Sequence, residues 1–172
     1  TLAISLSLMI GVGGATIISI KQGQGDYNEV NKCFTHMVVL NIIAYLVIAI
    51  FVLTFQNQVM TFLGSSAKLT ELVREYMVPG IIFSIFFMLS ISLNAVVRND
   101  NAPTFAMMSM GVGAVINVVL DYLFIVKFHW GMTGAAYATG IAQMGSALFL
   151  FAHFFKHSGK IKLVKTNFDF NI

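Results

Sequence analysis

One carboxylate in this chain stands apart from the other six. Asp121 lies inside the apolar run from Thr104 to Val126, with Asn117 one helical turn before it. Asp26, Glu29, Glu71, Glu75, Asp100 and Asp169 all fall in polar stretches, so Asp121 alone is expected where water is scarce. At a spacing of four, Asn117 and Asp121 share a helix face, and Gly113 extends that face into a small, polar stripe. A carboxylate at bilayer depth is costly and normally faces a cavity or a partner, which makes it a candidate proton or cation site. Desolvation favours the neutral acid, and a neighbouring cation or donor favours the carboxylate. A group so placed can change charge as water access changes, and coupled transport needs that behaviour. The plainer reading is a structural hydrogen bond between helices, worth about 0.6 kcal/mol on average in membranes.

The other polar residues inside apolar runs are Asn41, Asn94, Thr139 and Gln143. Each is read first as packing between helices. Thr139, within AAYATGIAQ, has small neighbours that let another backbone approach. His36, His129, His153 and His157 fall at the ends of apolar runs and are expected at the membrane interface. No Ser-His-Asp set or paired carboxylate stands out, so no enzyme activity is expected. Cys33 is the single cysteine and no metal-ligand spacing occurs, so neither a disulfide nor a metal is expected. The glycines Gly11 to Gly14 lie inside an apolar run rather than after a strand, so close helix packing explains them better than dinucleotide binding. KQGQGD (Lys21 to Asp26) lacks the Gly-Lys-Ser/Thr ending of a phosphate loop.

Composition dictates the scaffold around these residues. Of 172 residues, 58% are hydrophobic and 10% charged. A soluble domain needs roughly 25% charged residues, so lipid must be the solvent for much of this chain. An all-α integral membrane fold is expected, with spans over roughly 2–20, 36–55, 77–97, 104–126 and 132–155, each near the ~20 apolar residues a bilayer requires. Pro79 and Gly80 are placed in the opening turn of the third span, where proline does least harm. Between the second and third spans, Ser65 to Tyr76 spaces Leu69, Leu72, Val73 and Tyr76 as on a short interfacial helix. The net charge of +3 reflects loop lysines and arginines that act as topology signals rather than a nucleic-acid surface. Lys21, Lys32, Arg98, Lys156, Lys160, Lys162 and Lys165 fall on one side, against Lys68, Arg74 and Lys127 on the other. The first loop and the C-terminal tail are therefore expected in the cytoplasm. Thr1 would then begin outside, which implies an upstream helix and a chain cut from a longer protein.

The order of motifs resembles the MATE family of multidrug and toxin extrusion transporters, from the second helix of the N-terminal lobe to just past the sixth. The marks are Gly11-Val-Gly-Gly14, Gly23-Gln-Gly25-Asp26, Leu63-Gly64 and Arg98-Asn-Asp-Asn-Ala-Pro103. Asn117-Val-Val-Leu-Asp121 and Trp130-Gly-Met-Thr-Gly-Ala-Ala-Tyr-Ala-Thr139 come after them. The resemblance implies five transmembrane helices of a six-helix lobe over 1–157, and the cytoplasmic start of an inter-lobe linker over 158–172. It implies a multi-pass cell-membrane antiporter that exports amphipathic, mostly cationic drugs or toxins by alternating access, coupled to proton or sodium and needing no other cofactor. Asn117 and Asp121 match the family's N-lobe cation pair. Thr139, and Gln143 one turn on, would line the cavity, while Arg98 and Pro103 would shape their loop. The implied partners are the bilayer, a first helix carrying the family's other N-lobe acid, and a C-terminal lobe. The family usually has glycine where Asn101 stands, and Asn tolerates the left-handed backbone such a turn needs. Two alternatives stay open. One is a flippase of lipid-linked or polyanionic cargo, against which counts the lack of any Arg or Lys within a span. The other is a membrane scaffold in which Asp121 only pins helices together.

Overall fold

A computed structural model describes residues 2–56, 58, 67–156 and 161, with the side chains of 2, 3, 67–74, 155 and 156 excepted. Helices make up the described chain: α1 (Leu2–Gly23), α2 (Tyr27–Thr54), α3 (Ala67–Asn99), α4 (Pro103–Asp121), a π-helical segment (Tyr122–Lys127) and α5 (Gly131–Lys156). Five stretches are long and apolar enough to cross a membrane: Ile4–Gly23, Tyr27–Thr54, Glu75–Asn99, Pro103–Lys127 and Gly131–Phe154. They match the five expected spans.

Local chemistry sets the boundaries. The α1–α2 turn is made by Gly25 at φ +76°, followed by Asp26, whose Oδ1 accepts the Glu29 amide at 3.2 Å and caps α2. The α3–α4 turn places Asn101 at φ +57°, so the asparagine does adopt the left-handed backbone expected of it. Pro103 is the first residue of α4, where its missing amide costs nothing. His129 (φ +56°) and Gly131 (φ +54°) turn the chain from the π-helical segment into α5.

Two expectations about α3 are corrected. From Ala67 on, the stretch expected as a separate interfacial helix is continuous with the third span, whose apolar window opens at Glu75. Pro79 is therefore an interior residue of a 33-residue helix, not part of its first turn. Ser65, Ser66, Leu63, Gly64 and His157 lie outside the described residues, as does the tail expected over 158–172 except Ile161, which is buried in the core.

α3 is the central element, packing against α1, α2, α4 and α5, while α4 packs mainly on α5. The core they share contains Ile18, Val30, Phe34, Leu93, Val96, Val97 and Leu150. Glycine permits the closest approach. A Cβ on Gly11 would lie 2.7 Å from the Ser92 Cα, and one on Gly14 would meet the Met37 side chain at 2.9 Å. The packing reading of this motif holds for both, whereas Gly13 faces open space. Large side chains such as Val47, Ile50, Val115 and Val118 point outward, as a lipid-facing surface requires.

Candidate functional site

An open cavity of about 730 Å³ lies among α1, α3, α4 and α5. Leu8 and Val12 of α1 and Phe87 and Ile91 of α3 give it apolar walls. The facing helices contribute a polar wall: Asn117 from α4, and Thr139, Gln143 and Ser146 from α5. Close packing of α4 on α5 positions that wall. Ser146 Oγ donates to the Ser109 carbonyl at 2.9 Å, and Gly113 leaves the room that Ser146 occupies. Small residues let the backbones meet, and the hydroxyl finds an acceptor there.

Asn117 Nδ2 approaches Thr139 Oγ1 at 3.4 Å, a long hydrogen bond that brings together two residues 22 apart in sequence. Gln143 lines the same cavity one turn beyond Thr139. Asp121 is one turn past Asn117 at the C-terminal end of α4, half-buried, and it is not among the lining residues. No donor or cation among the described residues contacts its carboxylate. The π-helical segment begins at the next residue. A π turn widens the helix and shifts the register of the residues beyond it, and such turns often occur at functional sites. The apolar pattern of the run carried no sign of it.

Arg98 is placed differently from the expectation. It is the last residue but one of α3 and lines the cavity, so a basic side chain does lie within a membrane-crossing helix, and the expected lack of one is corrected. Pro103 opens α4 at the far side of the turn. Asn94, read from sequence as packing, donates to the Ala106 carbonyl at 3.0 Å and also lines the cavity.

Two polar clusters were not anticipated. Asp100 and His153 were read as a loop carboxylate and an interfacial histidine. In the structure His153 Nε2 lies 3.1 Å from Asp100 Oδ2, with side chains only 4% and 16% exposed respectively. Gln22 Nε2 donates to the other carboxylate oxygen at 2.9 Å, so α1, the α3–α4 turn and α5 converge on one acid. Asp121 is thus not the only acid removed from water. The second cluster joins α1, α2 and α3: Ser92 Oγ lies 3.1 Å from Asn41 Oδ1 and 3.3 Å from the Ser7 carbonyl. Asn41, fully buried, uses its amide on the Met37 carbonyl at 2.9 Å, in keeping with its reading as packing. No group of three metal-ligating side chains occurs among the described residues.

Comparison with known proteins fixes the family. The chain is 29% identical over 166 residues to the multidrug export protein MepA of Staphylococcus aureus (strain MSSA476), covering 94% of this chain and 37% of that protein. Against MepA of Staphylococcus haemolyticus (strain JCSC1435) it is 27% identical over 146 residues, covering 85% of this chain and 32% of that protein. Among solved structures, an inward-facing multidrug resistance MATE family transporter of the MOP superfamily superposes with a TM-score of 0.88 at 26% identity, over 94% of this chain and 37% of the other. The chain therefore spans between 32% and 37% of the length of these relatives. Since the family model MatE matches residues 1–123, most of the chain, the protein belongs to the MatE family.

Proposed function

We propose that the chain forms most of one lobe of a cation-coupled exporter of amphipathic drugs or toxins, and that it works as a transporter rather than an enzyme. The observation that carries this reading is the polar wall of the cavity. Asn117 and Thr139 meet across α4 and α5, and Asp121 stands one turn on. Leu8, Val12, Phe87 and Ile91 give the cavity apolar surface, Asn94 and Arg98 add polar groups nearer the α3–α4 turn, and its size suits a drug-like body. Asp121 carries the coupling proton or sodium ion, while Asn117 and Thr139 offer neutral oxygens beside it. Multidrug export by the MepA relatives supports the cargo class. A first helix and a second lobe, supplied by the same protein, complete the pathway in the cell membrane.

The test is drug efflux by the full-length transporter in vesicles, under an imposed proton gradient and then a sodium gradient, for wild type and Asp121→Asn. Efflux driven by one gradient and reduced to background in the variant is the expected outcome. Undiminished efflux in Asp121→Asn would sink the assignment and leave Asp121 structural.

A further inference from the structure

Arg98 is the only charged side chain among the described residues that line the cavity. The bond from Asn94 to the Ala106 carbonyl sets those two residues at one level of the α3–α4 hairpin. Arg98 lies one turn nearer the loop than Asn94, and Met110 one turn farther from the loop than Ala106. Yet Arg98 Nη2 contacts Met110 Sδ at 3.6 Å. The side chain therefore reaches back along α4, away from the turn. That is the lean of helical side chains toward the helix N-terminus, and at this end of α3 it carries the guanidinium along the cavity instead of toward the interface.

Nor is the charge matched among the described residues. A guanidinium has five N–H donors and a thioether is only a weak acceptor. No carboxylate among the described residues lies in ion-pair range of Arg98. The adjacent acid, Asp100, is engaged by Gln22 and His153 instead. The cavity therefore has one fixed positive charge with forked donors, and that fork fits a carboxylate or phosphate in bidentate fashion. Apolar side chains from α1 and α3 provide the surface beside it.

We infer that Arg98 is an anion-receiving, specificity-determining residue, and that the cavity prefers amphipathic molecules bearing a carboxylate or phosphate group. Cationic cargo gains nothing from this end of the cavity. A zwitterion can place its anionic group there and leave its cationic end to the rest of the pathway. The inference rests on the export reading for its meaning, but binding alone tests it.

The probes are a fluorescent zwitterion with an amine and a carboxylate on an aromatic body, and its methyl ester. Each is titrated against the purified full-length transporter in phosphatidylcholine nanodiscs by fluorescence anisotropy. Wild type is expected to bind the acid about tenfold more tightly than the ester, the scale of one charge-assisted hydrogen bond. Arg98→Gln abolishes that preference and Arg98→Lys retains part of it. Met110→Glu sets a carboxylate against the guanidinium and abolishes the preference while keeping Arg98, so it serves where Arg98→Gln does not fold. No acid preference in wild type, or a preference surviving both Arg98→Gln and Met110→Glu, overturns the inference. Adding phosphatidylglycerol separates the two sources of anion. Weaker acid binding in wild type but not in Arg98→Gln assigns the site to a lipid phosphate. Unchanged binding assigns it to the cargo's own carboxylate. Failure of efflux would count against export and leave these binding ratios readable.

Discussion

The Asp100 carboxylate shows how one acid can organise the end of a bundle. Its two oxygens take separate partners, Gln22 at 2.9 Å and His153 at 3.1 Å, from helices far apart in sequence. Phe105 and Phe154 pack their rings on His153 at centroid distances of 5.0 and 5.5 Å, shielding the contact from water. Removing the acid takes away the acceptor of the Gln22 amide and one partner of the buried imidazole. Asp100→Ala should cost the desolvation of those groups, about 1–3 kcal/mol, read as a lower thermal midpoint of the full-length protein in detergent. Asp100→Ala and His153→Ala together should cost less than the sum of the two, because each removes the same contact. Strict additivity would mean that the contact contributes nothing. None of this could be read from residue type, since Asp100 stands in the polar string RNDN and His153 near the end of an apolar run. Polarity along the chain reports the neighbours in sequence. Burial depends on which helices fold over them.

At the scale of elements, the approach of α1 to α3 depends on one missing methyl group. A Cβ at Gly11 would press on the Ser92 backbone at 2.7 Å, and backbone cannot swing aside as the end of a side chain can. Gly11→Ala should therefore push the helices apart, loosen the Ser92–Asn41 contact and cost about 1–3 kcal/mol. Gly13→Ala meets nothing within 4 Å and should be neutral or stabilising by up to ~1 kcal/mol through reduced freedom of the unfolded chain. Thermal midpoints that move in the same direction for both variants would refute this account. Helix existence was legible because a bilayer demands long apolar runs, and all five appear. The packing role of the glycine motif was legible too, though which of its glycines touches a neighbour was not. Start points and register were less so. Nothing in the apolar pattern marks where α3 begins, that it continues through Pro79, or that α4 passes into a π turn after Asp121. A change of register alters hydrogen bonding without altering composition.

The whole molecule has two chemically different ends. Gln22, Asp100 and His153 bring the C-terminal end of α1, the α3–α4 turn and the last turns of α5 together, and Phe34 near the start of α2 packs on Phe154 at 4.7 Å. Lys21, Lys32, Arg98 and Lys156 therefore belong to one end, and the chain leaves α5 there with Lys160, Lys162 and Lys165 still to come. The α4–α5 connection lies at the other end and carries Phe124, Phe128 and Trp130, their rings 5.0–6.2 Å apart, with Lys127 beside them. Aromatic clusters of this kind favour the headgroup level, while excess Lys and Arg in short loops favours the cytoplasm. The two signals predict the α1–α2 turn on the cytoplasmic side and the α4–α5 turn on the outer side. With Cys33 changed to serine in an otherwise cysteine-free full-length protein, Gln24→Cys and His129→Cys report on those two turns. A membrane-impermeant maleimide added to intact cells should label the cysteine at 129 and reach the one at 24 only after permeabilisation. The reverse pattern would invert the lobe in the membrane and overturn the reading of both the basic end and the aromatic end.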